Sequence, residues 1–112
     1  MTRKTGWRAA QRGEQIIRIL FDNPARLCQI ELEFSETEKE RTQEFLLQWS
    51  AEPDGALKDI VRQQWTFSPQ SSTRELENYR VNLDGVSVLQ LSIKPDLNPL
   101  NAYATLTKWR VM

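Results

Sequence analysis

The chain has 112 residues and a mass of 13.1 kDa, which suits one domain with a single two-layer core. Fifteen basic residues balance fifteen acidic ones, so no net field attracts nucleic acid or an acidic membrane. The sequence has no histidine and one cysteine, which excludes Ser-His and Cys-His nucleophile pairs and an internal disulfide. We therefore expect a protein that is not an enzyme.

The first two long strands are predicted at residues 14–21 and 27–34, where apolar and polar residues alternate. Such alternation is typical of a strand that buries one face. Asp22, Asn23 and Pro24 predict a tight turn between them, because proline fixes φ and the Asx residues cap their own backbone. In the second strand the alternation points four side chains into the core: Cys28, Ile30, Leu32 and Phe34.

Residues 41–50 and 57–67 follow as two more strands, separated by the turn-forming sequence AEPDG. The glutamate and lysine residues of 36–48 favour a helix as the alternative, but the alternation after Arg41 favours a strand. Phe45, Leu47 and Trp49 then point inward. We expect them to pack against Ile30, Leu32 and Phe34 of an adjacent antiparallel strand and to form the centre of the core.

Three further strands are predicted, at residues 75–83, 86–94 and 102–110. Asp84-Gly85 predicts a two-residue hairpin turn between the first two. A short strand at residues 7–10 brings the total to about eight.

Strands at this spacing indicate one all-β domain over residues 1–112 with negligible helix, and residues 1–6 are expected to be flexible. The predicted architecture is a two-sheet antiparallel sandwich of the jelly-roll type.

The connections predict where a ligand binds. If consecutive strands are antiparallel, the longer and more polar loops meet at one end of the sandwich, and long loops on a rigid scaffold usually carry binding residues. These loops span residues 11–13, 35–40, 68–74 and 95–101. The candidate ligand-binding residues at or near this end are three hydrogen-bond donors, an aromatic platform and an amide: Arg12, Arg41, Arg74, Trp65 and Asn101.

Three runs resemble the discoidin domain, also called the coagulation-factor type C domain: GEQIIRILFDNPARLCQIELEF, RTQEFLLQWSAEPDG and LSIKPDLNPLNAYATLTKWRV. The resemblance implies a galactose-binding-like jelly roll and carbohydrate recognition. Discoidin domains usually have about 150 residues, and this chain lacks their N-terminal portion; Leu57 stands where the family has an aromatic residue. The family often holds a structural calcium ion, but no cofactor or metal site is predicted here.

A second resemblance lies in the same superfamily. The runs WRAAQRGEQI and TFSPQSST are similar to the N-terminal domain of a DNA single-strand-break repair scaffold protein. This implies a protein- or DNA-interaction module. Basic residues for such a contact are found on the exposed face of strand 57–67, at Lys58 and Arg62, and on the neighbouring strand at Arg80. The zero net charge predicts weak non-specific DNA affinity. We therefore predict a non-catalytic binding module for carbohydrate, with the interaction module as the alternative.

Two other functions are rejected from the sequence. Glu31 and Glu33 could act as a glycosidase pair, but an exposed strand offers no cleft that shifts a carboxyl pKa. No apolar run is long enough to span a membrane, and no signal peptide is recognised at residues 1–12. We expect a cytoplasmic protein or a domain of a larger chain, and the sequence makes no prediction of its oligomeric state.

Overall fold

The computed structural model describes residues 2–97 and 102–112, with side chains from residue 7 onward. This part of the chain forms six strands and no helix, which confirms the all-β prediction. It contains no helix long and apolar enough to span a membrane. All strand pairs are antiparallel, in the order β1-β6-β2-β5-β3-β4. The strands are β1 (Thr2–Arg12), β2 (Gln15–Ser35), β3 (Arg41–Ser50), β4 (Lys58–Phe67), β5 (Arg74–Lys94) and β6 (Tyr103–Val111).

Two long strands correct the predicted count of eight. The predicted strands 14–21 and 27–34 both fall in β2, which begins one residue later at Gln15, and residues 75–83 and 86–94 belong to β5. The predicted turn at Asp22–Pro24 and the hairpin at Asp84-Gly85 were wrong, because the chain does not reverse into a new strand at either place. The turn-forming residues instead accompany β-bulges, which insert extra residues without ending a strand.

The paired β2 and β5 form a ribbon that bends on itself. A straight 21-residue strand would be about 70 Å long, whereas the longest dimension of the molecule is 42 Å. The register of the ribbon shifts three times between Leu20 and Gln29, which is where the bend lies. Gly85, with φ of 68°, lies on the β5 side of the same bend and adopts a left-handed conformation that glycine tolerates.

The bend divides the hydrogen-bonded sheet into two halves that face each other. The β3 half contains β4, β3, the end of β5 and the start of β2, and the β6 half contains β1, β6, the end of β2 and the start of β5. Phe34 of the β6 half stacks on Phe45 of the β3 half, with ring centroids 5.4 Å apart. The predicted contact between these aromatics is present, but β2 and β3 are not adjacent, because β5 lies between them.

The core fills the space between the two halves. Its largest completely buried side chain is Trp109 of β6. Trp49 was expected at the centre of the core but is only half-buried, because the β3–β4 register shifts between Leu47 and Gln48 just before it. The Lys58 ammonium lies 5.2 Å from the centre of the Trp49 ring. Trp49 is therefore at the margin of the core.

A bulge also explains why the prediction of a buried Cys28 was wrong. Cys28 is exposed, whereas Leu27 and Ile30 on either side are buried. The register of β2 shifts between Leu27 and Gln29, so the inward phase moves by one residue at this point. Beyond the shift the predicted phase holds, and Ile30, Leu32 and Phe34 are completely buried.

Replacing Trp109 by Ala is expected to lower the free energy of unfolding by about 3–5 kcal/mol, because a large buried side chain leaves a cavity. Trp49→Ala is the matched control and should cause a clearly smaller loss. Urea unfolding followed by circular dichroism measures both. An equal or larger loss for Trp49→Ala would contradict the placement of Trp49 at the margin of the core.

Candidate functional site

Four connections meet at one end of the folded sheet, as the sequence predicted. The backbone N–H of Gly13 donates to the carbonyl of Ala102 at 3.2 Å, which joins the β1–β2 turn to the start of β6. Glu36 N–H donates to Thr73 O at 2.9 Å, and Leu97 N–H donates to Thr42 O at 2.9 Å. The described parts of these loops are therefore held together by main-chain hydrogen bonds, and we call this region the loop end.

An aromatic ring with two arginines lies at the loop end. The guanidinium carbon of Arg8 is 4.3 Å from the centroid of the Tyr103 ring, and that of Arg12 is 5.7 Å from it. Both arginine side chains are exposed and Tyr103 is partly exposed. Contacts of this kind are favourable because the ring face is electronegative. We call these three residues the Tyr103 cluster.

An irregular strand brings the two arginines to one ring. In a regular strand, residues four positions apart are separated by about 13 Å. Here Arg8 pairs with Thr105 and Arg12 with Tyr103, so four steps along β1 match only two along β6. The register shift between Arg8 and Arg12 therefore directs both guanidinium groups towards the same side chain.

A groove of about 550 Å³ opens beside this cluster. Its lining combines cationic, acidic and hydroxyl side chains, together with the Tyr103 ring. The lining residues are Arg8, Ser35, Glu36, Thr37, Glu38, Lys39, Ala102, Tyr103 and Thr105. The groove thus offers donors, acceptors and an aromatic ring to a small polar molecule.

Arg41, a predicted ligand donor, is built into the fold beneath the groove. Its side chain is completely buried and lies over the Phe67 ring, 4.7 Å from the centroid. It donates to Glu36 Oε1 at 2.7 Å and to the Pro95 carbonyl at 2.6 Å, with longer hydrogen bonds to Gln43 and Thr105. With its donors turned to protein acceptors, Arg41 holds the loops together and does not reach the groove.

The hydrogen bonds at Glu36 fix its charge state. Partial burial opposes ionisation, but hydrogen bonds from the Glu38 backbone N–H and from Arg41 outweigh it and lower the pKa of Glu36. The Lys39 backbone N–H also donates to this carboxylate, at 3.4 Å. The Glu36 carboxylate therefore organises the 36–40 loop as an anion.

The other predicted site residues do not join the Tyr103 cluster. Arg74 is exposed at the start of β5 and donates through Nε to Glu33 Oε1 at 3.0 Å. Trp65 on β4 is half-buried, packs against the core and has an indole N–H with no acceptor among the described residues. Asn101 lies outside the described residues. Of the five predicted residues, Arg12 alone belongs to the Tyr103 cluster; its exposed side chain contacts a ring that lines the groove but is not itself a lining residue.

Sequence reasoning missed Arg8 and Tyr103. Arg8 and Arg12 are exposed residues in the second half of β1, and Tyr103 begins β6 just after the 95–101 loop. From these positions, all three side chains could have been predicted to point outward near the loop end. The β1–β6 pairing could not be read from the sequence, because the two strands are at opposite ends of the chain.

A buried carboxyl group lies elsewhere between the two halves. Glu75 is completely buried, and Gln43 Nε2 donates to its Oε1 at 3.2 Å. Burial, and secondly the neighbouring Glu77 carboxylate, raise the pKa of Glu75 to about 9, against the opposing effects of Gln43 and Arg41. Glu75 therefore keeps its proton at neutral pH. Among the described residues no group of three or more Cys, Asp and Glu is arranged to hold a metal ion.

The proton on Glu75 predicts how stability depends on pH. Above about pH 4.5 the unfolded chain releases this proton while the folded chain keeps it, so the free energy of unfolding falls until pH reaches about 9. Glu75→Gln should flatten this decline, which is best measured by urea unfolding from pH 5.5 to 8.5, where no histidine titrates. Glu77→Gln is the partner control and should reduce the decline without abolishing it. An unchanged slope in Glu75→Gln would contradict the assignment.

Comparison of the chain with protein-family models, with curated proteins and with solved structures finds no match.

Proposed function

We propose that this protein is a non-catalytic binding module of the galactose-binding-like, jelly-roll type that recognises carbohydrate at the loop end. The observation that carries the proposal is the Tyr103 cluster beside an open polar groove. The proposal is supported by the chemical groups in the groove, which match the apolar face and the hydroxyl groups of a sugar.

A sugar has an apolar face and a rim of hydroxyl groups. An aromatic ring stacks on the apolar face, and planar guanidinium groups donate to the hydroxyl oxygens. Tyr103 supplies the ring, of which the Arg8 guanidinium covers one face, and Arg8 and Arg12 supply the donors. A sugar would stack on the part of the ring that Arg8 leaves open. Thr37 and Glu38 line the same groove and offer oxygen acceptors for sugar hydroxyls. The groove volume lies within the range of small-ligand pockets, roughly 300–1,000 Å³.

A protein-interaction module remains the second candidate, on a different surface. Ile16 and Leu20 at the start of β2 are 60% and 66% exposed. Among the described residues, this segment pairs with β5 on one side only, so it is an edge of the β3 half. Exposed apolar side chains on an edge strand favour contact with another protein.

A DNA-interaction module has less support than a protein-interaction module. Arg62 is bound to Glu44, whose pKa is lowered by hydrogen bonds from Gln64 and Arg62. Lys58 lies over the Trp49 ring, and Arg80 is on β5, which is separated from β4 by β3 in the sheet. The basic residues suggested for DNA are therefore partly neutralised and do not lie on adjacent strands.

Tyr103→Ala is expected to weaken the binding of a recognised sugar by about tenfold or more, since stacking and orientation are lost together. A glycan array identifies the sugar, and calorimetric titration measures its affinity. Arg62→Ala, which removes an arginine from β4, is the matched control and should bind like the unmodified protein. The proposal fails if no sugar binds and none shifts the amide resonances of the loop end. In that case titration of a nicked duplex at two salt concentrations tests the DNA alternative.

A further inference from the structure

We infer that the ligand of this groove is an acidic sugar, whose carboxylate or sulfate group is held by Arg8 and Arg12. The inference rests on the proposed function and narrows it to one chemical class. It depends on three observations: the distribution of ion pairs, the geometry of the two arginines and the acidic residues that border the groove.

The first observation is that these two arginines have no acidic partner. Five ion pairs between described side chains involve four glutamates, and each of these glutamates has at least one basic partner. The pairs are Arg41–Glu36, Arg62–Glu44, Arg74–Glu33, Lys108–Glu31 and Arg110–Glu31. Arg8 and Arg12 form none within the described part of the chain, and their recorded contact is with the Tyr103 ring.

One of the two carboxylates that line the groove already has partners within the fold. Glu36 lines the groove with Arg8, but its oxygens accept from Arg41 and from the backbone N–H groups of Glu38 and Lys39. It is therefore directed towards the loop and Arg41. The positive charge of the Tyr103 cluster consequently remains available to an anion from solution.

The second observation is the geometry of the pair. The β1 irregularity places two guanidinium groups within 6 Å of one ring centroid, and like charges gathered at one side chain repel each other. A carboxylate or sulfate that contacts both groups would relieve the repulsion and accept hydrogen bonds from both planar forks. A neutral sugar gains the stacking contact but provides no such compensation. The site should therefore discriminate by charge as well as by shape.

The third observation favours a small acid over a polyanion. Glu36 and Glu38 border the same groove together with Lys39, and the chain has no net charge. A nucleic acid backbone would bring repeated phosphates close to the Glu38 carboxylate, whereas a single acidic group need not approach it. A single acidic group can lie at the Arg8 side of the groove while the sugar hydroxyls face the Glu38 side. A sugar acid satisfies both sides.

The decisive experiment compares sugars that differ only in charge. Methyl glucuronide and methyl glucoside differ by a carboxylate in place of a hydroxymethyl group, and a sulfated disaccharide and its unsulfated form make a second pair. Calorimetric titration and amide chemical shifts of the whole chain measure binding. The acidic member of at least one pair should bind about tenfold or more tightly than its neutral partner. Arg8→Ala and Arg12→Ala should remove that preference.

Arg110→Ala is the matched control, since it removes a partly exposed arginine that is paired with Glu31, and it should keep the preference. Arg8→Lys retains the charge without the planar fork and should keep part of the preference. Thermal unfolding checks that each variant is folded, and because Arg8 and Arg12 are exposed, both alanine variants should remain so.

Each of the other outcomes contradicts one part of the proposal. Equal affinity for neutral and acidic sugars at the same amides would overturn the inference and leave carbohydrate recognition intact. No binding by any sugar would overturn both. Tighter binding of a nicked duplex, lost in the same two arginine variants, would assign the cluster to nucleic acid. Binding of inorganic sulfate as tight as that of the sulfated disaccharide would show that the sugar ring is not recognised.

Discussion

The bent ribbon of β2 and β5 is the feature on which the rest of the structure depends. Every other strand joins the sheet through it: β6 pairs with the end of β2, β3 pairs with the end of β5, and β1 and β4 follow outside them. Because one ribbon supplies strands to both halves, the bend brings the two halves face to face. The contact between Phe34 and Phe45 is a consequence of that bend.

Arg41 connects this core to the groove. Its guanidinium touches β3 through Gln43, the 36–40 loop through Glu36, the segment after β5 through Pro95 and β6 through Thr105. A buried cation is costly unless its donors are satisfied, so the arrangement favours one relative position of these four segments. The loops around the groove are thus ordered from below by an interaction that the ligand itself does not reach.

The sequence predicted the strands better than it predicted their connections. Alternation identified the inward faces around Ile30, Leu32, Phe45 and Leu89, all of which are buried. It could not distinguish a hairpin turn from a bulge at Asp84-Gly85, because both use the same turn-forming residues. For the same reason, the unrecognised bulge near Leu27 led to the wrong prediction that Cys28 is buried. Candidate ligand residues were found by residue type near a loop, which does not reveal that Arg41 is buried or that Arg8 lies beside Tyr103.

The bulge that exposes Cys28 has a practical consequence. Cys28 is the only thiol in the chain, and it lies near the bend, seven residues before the end of β2 at Ser35. Along a strand that distance is about 23 Å, which separates it from the groove that Ser35 helps to line. A fluorophore or a solid support attached to this sulfur would therefore sit at the end of the molecule opposite the groove. The protein carries its own single point of attachment for optical or surface-based binding assays.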